Sequence, residues 1–264
     1  MTFDLIDVHA GYGELEVLHG VSLRLESGLA TCLIGANGAG KSTVLKTLFG
    51  ILPPTSGRIE LDGQDITTTS TADRLRMGIA YVAQGRCNFP DMTVRENLEM
   101  GAYLLPANEV RAAVDHVLQR FPVVATRPWI SAGALSGGQQ QALEMAMALV
   151  TSPKVLLIDE PSLGLSPMMV DGVFDEIRRI RDEGVTVVMV EQNARRGLEI
   201  SDRGVALELG RIRKTGTGQE LLTDPNMRLL YLGGARAPID RSSERPLVAA
   251  NSEDSEERTD DAEH

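Results

Sequence analysis

The 264-residue sequence has few cysteines and histidines, fewer basic than acidic residues, and no long apolar run. Its two cysteines, Cys32 and Cys87, stand far apart and away from other ligating residues. That excludes a disulfide framework or a cysteine metal site and leaves reduced thiols. No apolar run approaches the ~20 residues that span a bilayer, and the opening Met1-Thr2-Phe3-Asp4 has neither a basic nor an apolar leader region. A soluble, cytoplasmic protein is expected. With 26 Lys and Arg against 37 Asp and Glu, the net charge is −11. This suits nucleic acid poorly, because basic residues supply most phosphate affinity. Much of the acid lies late, where Glu253, Asp254, Glu256, Glu257, Asp260, Asp261 and Glu263 face only Arg258. Such a segment cannot bury enough surface to order itself. Residues 235–264 are therefore expected to be a disordered acidic tail, either a solvated linker or a regulatory segment, after a folded domain over 1–234.

The content that remains, 42% hydrophobic, suffices for one sizeable α/β core. After the apolar run 29–34 comes Gly35-Ala36-Asn37-Gly38-Ala39-Gly40-Lys41-Ser42-Thr43, opening a helix-like segment. Glycines let consecutive backbone N–H groups curl around phosphate oxygens, Lys41 supplies a point charge, and Ser42 offers a hydroxyl to Mg²⁺. Short glycine runs also occur as plain turns, so later residues have to decide. Val155-Leu156-Leu157-Ile158-Asp159-Glu160 reads as a buried parallel strand ending in two carboxylates. Asp159 can hold Mg²⁺ directly or through water, and Glu160 can accept a proton from an attacking water. Leu135-Ser136-Gly137-Gly138-Gln139 precedes a segment, 140–150, free of Pro and Gly, and reads as a second anion-binding helix start. One nucleotide needs one cradle, so the second is expected to serve a nucleotide held by another subunit.

With these three motifs the chain resembles an ATP-binding cassette (ABC) ATPase. The resemblance implies head-to-tail pairing of two cassettes, each ATP lying between the phosphate loop of one and Ser136, Gly137, Gly138 and Gln139 of the other. It places Tyr12, in Gly11-Tyr12-Gly13, at the position of an aromatic that stacks on adenine, although an aromatic here could equally plug the core. It places Gln84 at the glutamine that touches Mg²⁺ and water. Where many members carry a switch histidine, the chain has Gln192, which can hydrogen-bond phosphate or water but cannot carry a titrating proton. His9, His19, His116 and His264 lie outside every nucleotide motif. The base role therefore falls to Glu160. Ser166 replaces the usual aspartate of the loop after Glu160.

These departures, with Val190-Glu191-Gln192-Asn193-Ala194 and Val8-His9-Ala10-Gly11-Tyr12-Gly13, resemble the shorter ATPase of branched-chain amino-acid importers, over roughly residues 3–233. That resemblance implies ATP and Mg²⁺, two membrane permease subunits, a second ABC ATPase in a hetero- or homodimer, and an extracytoplasmic binding protein acting indirectly. It puts the chain at the cytoplasmic face of the membrane. A urea-importer ATPase and a soluble ABC ATPase such as an iron–sulfur assembly ATPase are the alternatives.

The expected fold is a P-loop α/β cassette. Its mainly parallel sheet comes from 29–34, 79–82, 155–158, 185–190 and 204–209, and an antiparallel β layer from 3–8, 22–25 and 58–62. Helices are expected over 42–49 and 168–183, with a helical subdomain inserted at about 85–150 that contains helices at 93–98 and 108–119. The resemblance implies a groove between this insert and the main domain that receives a helix of the permease. Phe89 and Met92 are expected either to line it or to anchor their own loop.

Overall fold

The fold is taken from a computed structural model that describes residues 1–85 and 87–227, so the acidic tail expected at 235–264 lies outside the described residues. Along the chain, β1 (Phe3–Tyr12) and β2 (Leu15–Leu25) form a hairpin, β3 (Ala30–Ile34) leads to α1 (Lys41–Phe49), and β4 (Ser56–Leu61), β5 (Gln64–Asp65) and α2 (Thr71–Arg76) precede β6 (Ile79–Val82). Then come α3 (Val94–Gly101), α4 (Ala107–Arg120), α5 (Pro122–Ala125) and α6 (Gly137–Leu149). The chain continues through β7 (Val155–Asp159), α7 (Pro167–Asp182), β8 (Thr186–Val190), α8 (Ala194–Glu199), β9 (Arg203–Glu208), β10 (Arg211–Thr217) and α9 (Gly218–Thr223).

Two sheets result. The larger has the order β10-β9-β3-β8-β7-β6, all parallel except the edge strand β10. The smaller, antiparallel, has the order β2-β1-β4-β5. The expected strands are present, but β1 and β2 run well beyond 3–8 and 22–25. Polar residues and bulges interrupt the apolar alternation in both, which hid their length.

Strands β3, β7 and β8 are buried on both faces, as their unbroken apolar runs require. Because successive side chains point to opposite faces, each strand feeds two cores. Leu156, Ile158, Val187 and Met189 join α6, α7 and the helical insert, whereas Val155, Leu157, Val188 and Val190 join α1 and the antiparallel layer. The insert has no separate core. Its Leu98, Val114, Phe121 and Val124 belong to the cluster on that sheet face, and the long α6 packs on both α3 and β6.

A buried arginine closes the region behind α1. Arg74, 1% exposed, donates to the carbonyls of Thr47, Leu48, Ile66, Thr67 and Thr69 at 2.6–3.2 Å. The last carbonyls of α1 lack intrahelical partners, and the guanidinium fork supplies donors. Burial without a facing carboxylate pushes its pKa down to about 10.

Candidate nucleotide site

The phosphate loop starts where β3 leaves the sheet. Gly35 is needed for close approach, since a Cβ there would meet the Leu207 carbonyl oxygen at 2.3 Å. Gly40 (φ 100°) is the N-cap of α1 and lacks a side-chain cap, so the first N–H groups of the helix face outward as donors. The Lys41 ammonium folds back onto the carbonyls of Gly35 (2.9 Å) and Ala36 (3.1 Å). Burial lowers its pKa, an effect opposed by the charges of Glu160 and Asp159.

Asp159, 3% exposed at the end of β7, accepts from Ser42 Oγ at 2.9 Å and from Tyr81 Oη at 3.2 Å. Octahedral Mg²⁺ at 2.0–2.1 Å keeps adjacent oxygen ligands about 2.9 Å apart. The Ser42–Asp159 pair therefore fits a Mg²⁺ edge in both donor type and spacing. Glu160 follows at φ 52°, in the left-handed region that a residue with a Cβ rarely occupies. Its N–H donates to the Val190 carbonyl (2.9 Å), and its carboxylate accepts from Gln84 Nε2 at 2.8 Å. Gln84 at the end of β6 and Glu160 at the end of β7 thus meet over the phosphate loop, at the carboxyl ends of parallel strands.

A cavity of about 600 Å³ collects Tyr12, Asn37, Gly38, Gly40, Lys41, Ser42, Thr43, Gln84, Glu160 and Gln192. That volume suits a small-molecule ligand. Tyr12 is 47% exposed, so it is no core plug, and Lys46 stands 5.7 Å from its ring centre. Leu15 and Val17 of β2 also line the cavity, and no sequence signal marks either of them, nor Lys46 or Tyr81. Gln192 is exposed, but its neighbour Glu191 is 1% exposed and anchors the switch segment. Glu191 accepts from Ser162 N (3.0 Å), Ser162 Oγ (2.9 Å) and Asn193 N (3.2 Å). Burial raises its pKa, and these hydrogen bonds partly offset the rise. The loop after Glu160 and the switch segment are therefore tied together through one carboxylate.

The second anion-binding helix start does not line this cavity. Ser136 and Gly137 are exposed at the start of α6, and the Ser136 N–H donates to Gln139 Oε1 at 3.0 Å. Gly138 is buried and faces inward, with the Met169 side chain of α7 packed over it. Ser136 and Gly137 are thus presented outward, and Gln139 caps its own helix.

Two polar anchors shape the segment after Gln84. Glu144 of α6 accepts from Cys87 N (2.8 Å) and Asn88 Nδ2 (2.9 Å). Asn97 of α3, fully buried, accepts from Phe89 N (2.7 Å) and donates to the carbonyls of Phe89 and Thr93. Phe89 and Met92 therefore belong to an anchored loop and do not line the apolar groove. That groove, two adjoining cavities of about 240 and 430 Å³, is lined instead by Phe49, Leu75, Met100, Gly101, Tyr103 and Met147.

Comparison with known proteins agrees with this geometry. The ABC transporter family pattern matches residues 18–163. The chain is 44% identical, over 89% of its length and all of the relative's, to the high-affinity branched-chain amino acid transport ATP-binding protein BraG of Pseudomonas aeruginosa. It is 40% identical, over 86% of its length and 97% of the relative's, to the probable branched-chain amino acid transport ATP-binding protein LivF of Archaeoglobus fulgidus. Among solved structures, the ADP conformation of MJ1267, an ATP-binding cassette of an ABC transporter, is 28% identical with TM-score 0.77, covering 88% of this chain and 99% of that one.

Proposed function

The chain belongs to the ABC transporter family of ATP-binding proteins, and from that premise we propose that it hydrolyses ATP to drive import of branched-chain amino acids through membrane permease subunits. The observation that carries the reading is the single cavity in which the phosphate loop, Tyr12, Gln84, Glu160 and Gln192 converge while Ser136 and Gly137 are exposed outside it. A cassette built this way offers half of two ATP sites.

Tyr12 stacks on adenine through its π face, which tolerates the base's identity. The N–H groups at the start of α1 cradle the β- and γ-phosphates, and Lys41 leaves the Gly35 and Ala36 carbonyls to meet them. Ser42 and Asp159 would hold Mg²⁺, with Gln84 beside them; the ion would neutralise phosphate charge. Glu160, oriented by Gln84, accepts the proton of the attacking water. Gln192 positions that water or the γ-phosphate without exchanging a proton, and Glu191 fixes it relative to the loop at Ser162. Ser136 and Gly137 complete the site of a second ABC ATPase. ATP binding closes the pair, and hydrolysis reopens it. The apolar groove receives a helix of the permease, which carries closure to the membrane. An extracytoplasmic binding protein selects the substrate, so no residue of this chain meets it. The names of the relatives concern branched-chain amino acids, which leaves the urea and iron–sulfur alternatives unsupported.

Recovery of the tagged chain from gently solubilised native membranes tests the assembly. Two permease subunits and a second ATPase bearing a switch histidine are expected to co-purify. Recovery only from the soluble fraction, free of permeases, would contradict the reading.

A further inference from the structure

His9 and His19, which no nucleotide motif uses, meet on the β1–β2 hairpin. Between the pairs Leu5↔Leu23 and Val8↔Val21, β1 carries one extra residue, and Asp7 takes φ 49°. Between Val8↔Val21 and Ala10↔Leu18 the extra residue is on β2, where Gly20 takes φ 73°. A regular strand would put Glu16 and His19 on opposite faces, three positions apart. A third shift, between Ala10↔Leu18 and Gly11↔Glu16, adds a residue on β2 between Glu16 and His19 and brings both to one side. His9 Nδ1 hydrogen-bonds the Glu16 carboxylate, His19 Nδ1 lies 3.7 Å from the same Glu16 Oε1, and His9 Nε2 faces Asp7 Oδ1 at 3.8 Å.

We propose that His9, Glu16 and His19 bind one transition-metal dication of the Zn²⁺ type, with Asp7 as the outer carboxylate that orients His9. Two imidazoles and a carboxylate are the donor set such an ion takes, commonly with water in a fourth position. Ligand bonds of about 2.1 Å in a tetrahedron separate neighbouring donors by about 3.4 Å. The three donor atoms here lie within 4.8 Å of one another, so small side-chain rotations reach that spacing. Among the described residues this is the one cluster of at least three such donors. Asp7 Oδ1, 3.8 Å from His9 Nε2, stands where a small side-chain rotation lets it accept the other ring N–H of a ligating imidazole. Gly20 makes room for it, since a Cβ there would sit 2.8 Å from Asp7 Oδ1. The nearby Arg211 guanidinium donates to the His19 carbonyl at 2.9 Å.

The position gives the ion a consequence. Tyr12, Leu15 and Val17 on the same hairpin line the nucleotide cavity, and the His19 N–H donates to Gly210 O, whose N–H donates to Ala39 of the phosphate loop. A bound ion staples β1 to β2 behind the adenine platform.

The test is calorimetric titration of the untagged, chelator-stripped full chain with Zn²⁺ in excess Mg²⁺, which fills the all-oxygen sites. One equivalent is expected, weakened at least ~10-fold by His9→Ala or His19→Ala and about 10- to 100-fold by Asp7→Asn. Zn²⁺ should also raise the melting temperature of the parent and leave that of the His9→Ala/His19→Ala variant unmoved. Co²⁺ added to the parent should give the visible absorption of a tetrahedral imidazole-bound ion, a readout that needs no variant. Absence of saturable binding or of that spectrum, or one-equivalent binding unchanged in the double variant, would overturn the proposal. Undiminished binding in Asp7→Asn would remove Asp7 from it. None of these outcomes depends on the transport reading.

Discussion

Glu160 holds a left-handed backbone at φ 52° while its carboxylate meets Gln84, so backbone strain and side-chain pairing fall on one residue. Removing its basicity without changing its shape separates chemistry from binding. Glu160→Gln, in a complex whose partner ATPase is also inactivated, should lower ATP turnover by about 10²- to 10⁴-fold, while a fluorescent ATP analogue binds within a few-fold of the parent. Turnover at the parental rate would remove Glu160 from the base role. Glu191 acts one step away. As a carboxylate it accepts from three donors, whereas an amide has one acceptor oxygen, so Glu191→Gln must lose part of the link between Ser162 and Asn193. Its raised pKa fixes a sign. The folded state holds the proton more tightly than the unfolded chain, so the Glu191 contribution to stability is full below the ordinary value of 4.5 and is lost as pH rises through the raised folded value. Denaturation of parent and Glu191→Gln across pH 4–8 checks this. The difference in stability between them should shift in the parent's favour on the acid side, and a pH-independent difference would contradict it.

At the scale of elements, the parts that carried local signals were readable in advance. The apolar runs of β3, β7 and β8 and the glycine-bounded start of α1 depend on near neighbours, so the sequence alone placed the phosphate loop and both carboxylates. Other parts depend on partners far along the chain. Glu144 anchors Cys87 and Asn88 more than fifty positions away, and the Met169 side chain packs over Gly138. Neither spacing nor composition reports such pairings, and for the same reason the sequence left open whether Phe89 and Met92 line the groove or anchor their loop, which Asn97 holds. The helix α2 went unanticipated because its six residues are mostly polar and its purpose rests on Arg74. Arg74→Met should expose the dependence. With five carbonyls deprived of a charged donor, stability should fall by about 3 kcal/mol, lowering the melting temperature by roughly 6–12 °C. An unshifted thermal transition would show that those carbonyls find other partners.

For the whole molecule, the two cores on opposite faces of the large sheet separate two tasks: one supports the nucleotide loop through α1, and the other joins the sheet to the helical insert and the groove. No helix among the described residues is long and apolar enough to cross a membrane. Met100, exposed in the groove, offers a probe that leaves the nucleotide cavity untouched. Met100→Glu should preserve ATP binding while reducing recovery of permease in a pull-down from membranes, and unchanged recovery would argue against the groove as the contact. The most direct test of the central claim is uptake of labelled leucine into vesicles carrying the assembled complex, with ATP supplied on the side of this chain. ATP-dependent accumulation, lost when Glu160→Gln is combined with an inactivated partner ATPase, is the predicted result. Accumulation that persists in that double-inactive complex would contradict the account, as would a complex that hydrolyses ATP but moves no branched-chain amino acid.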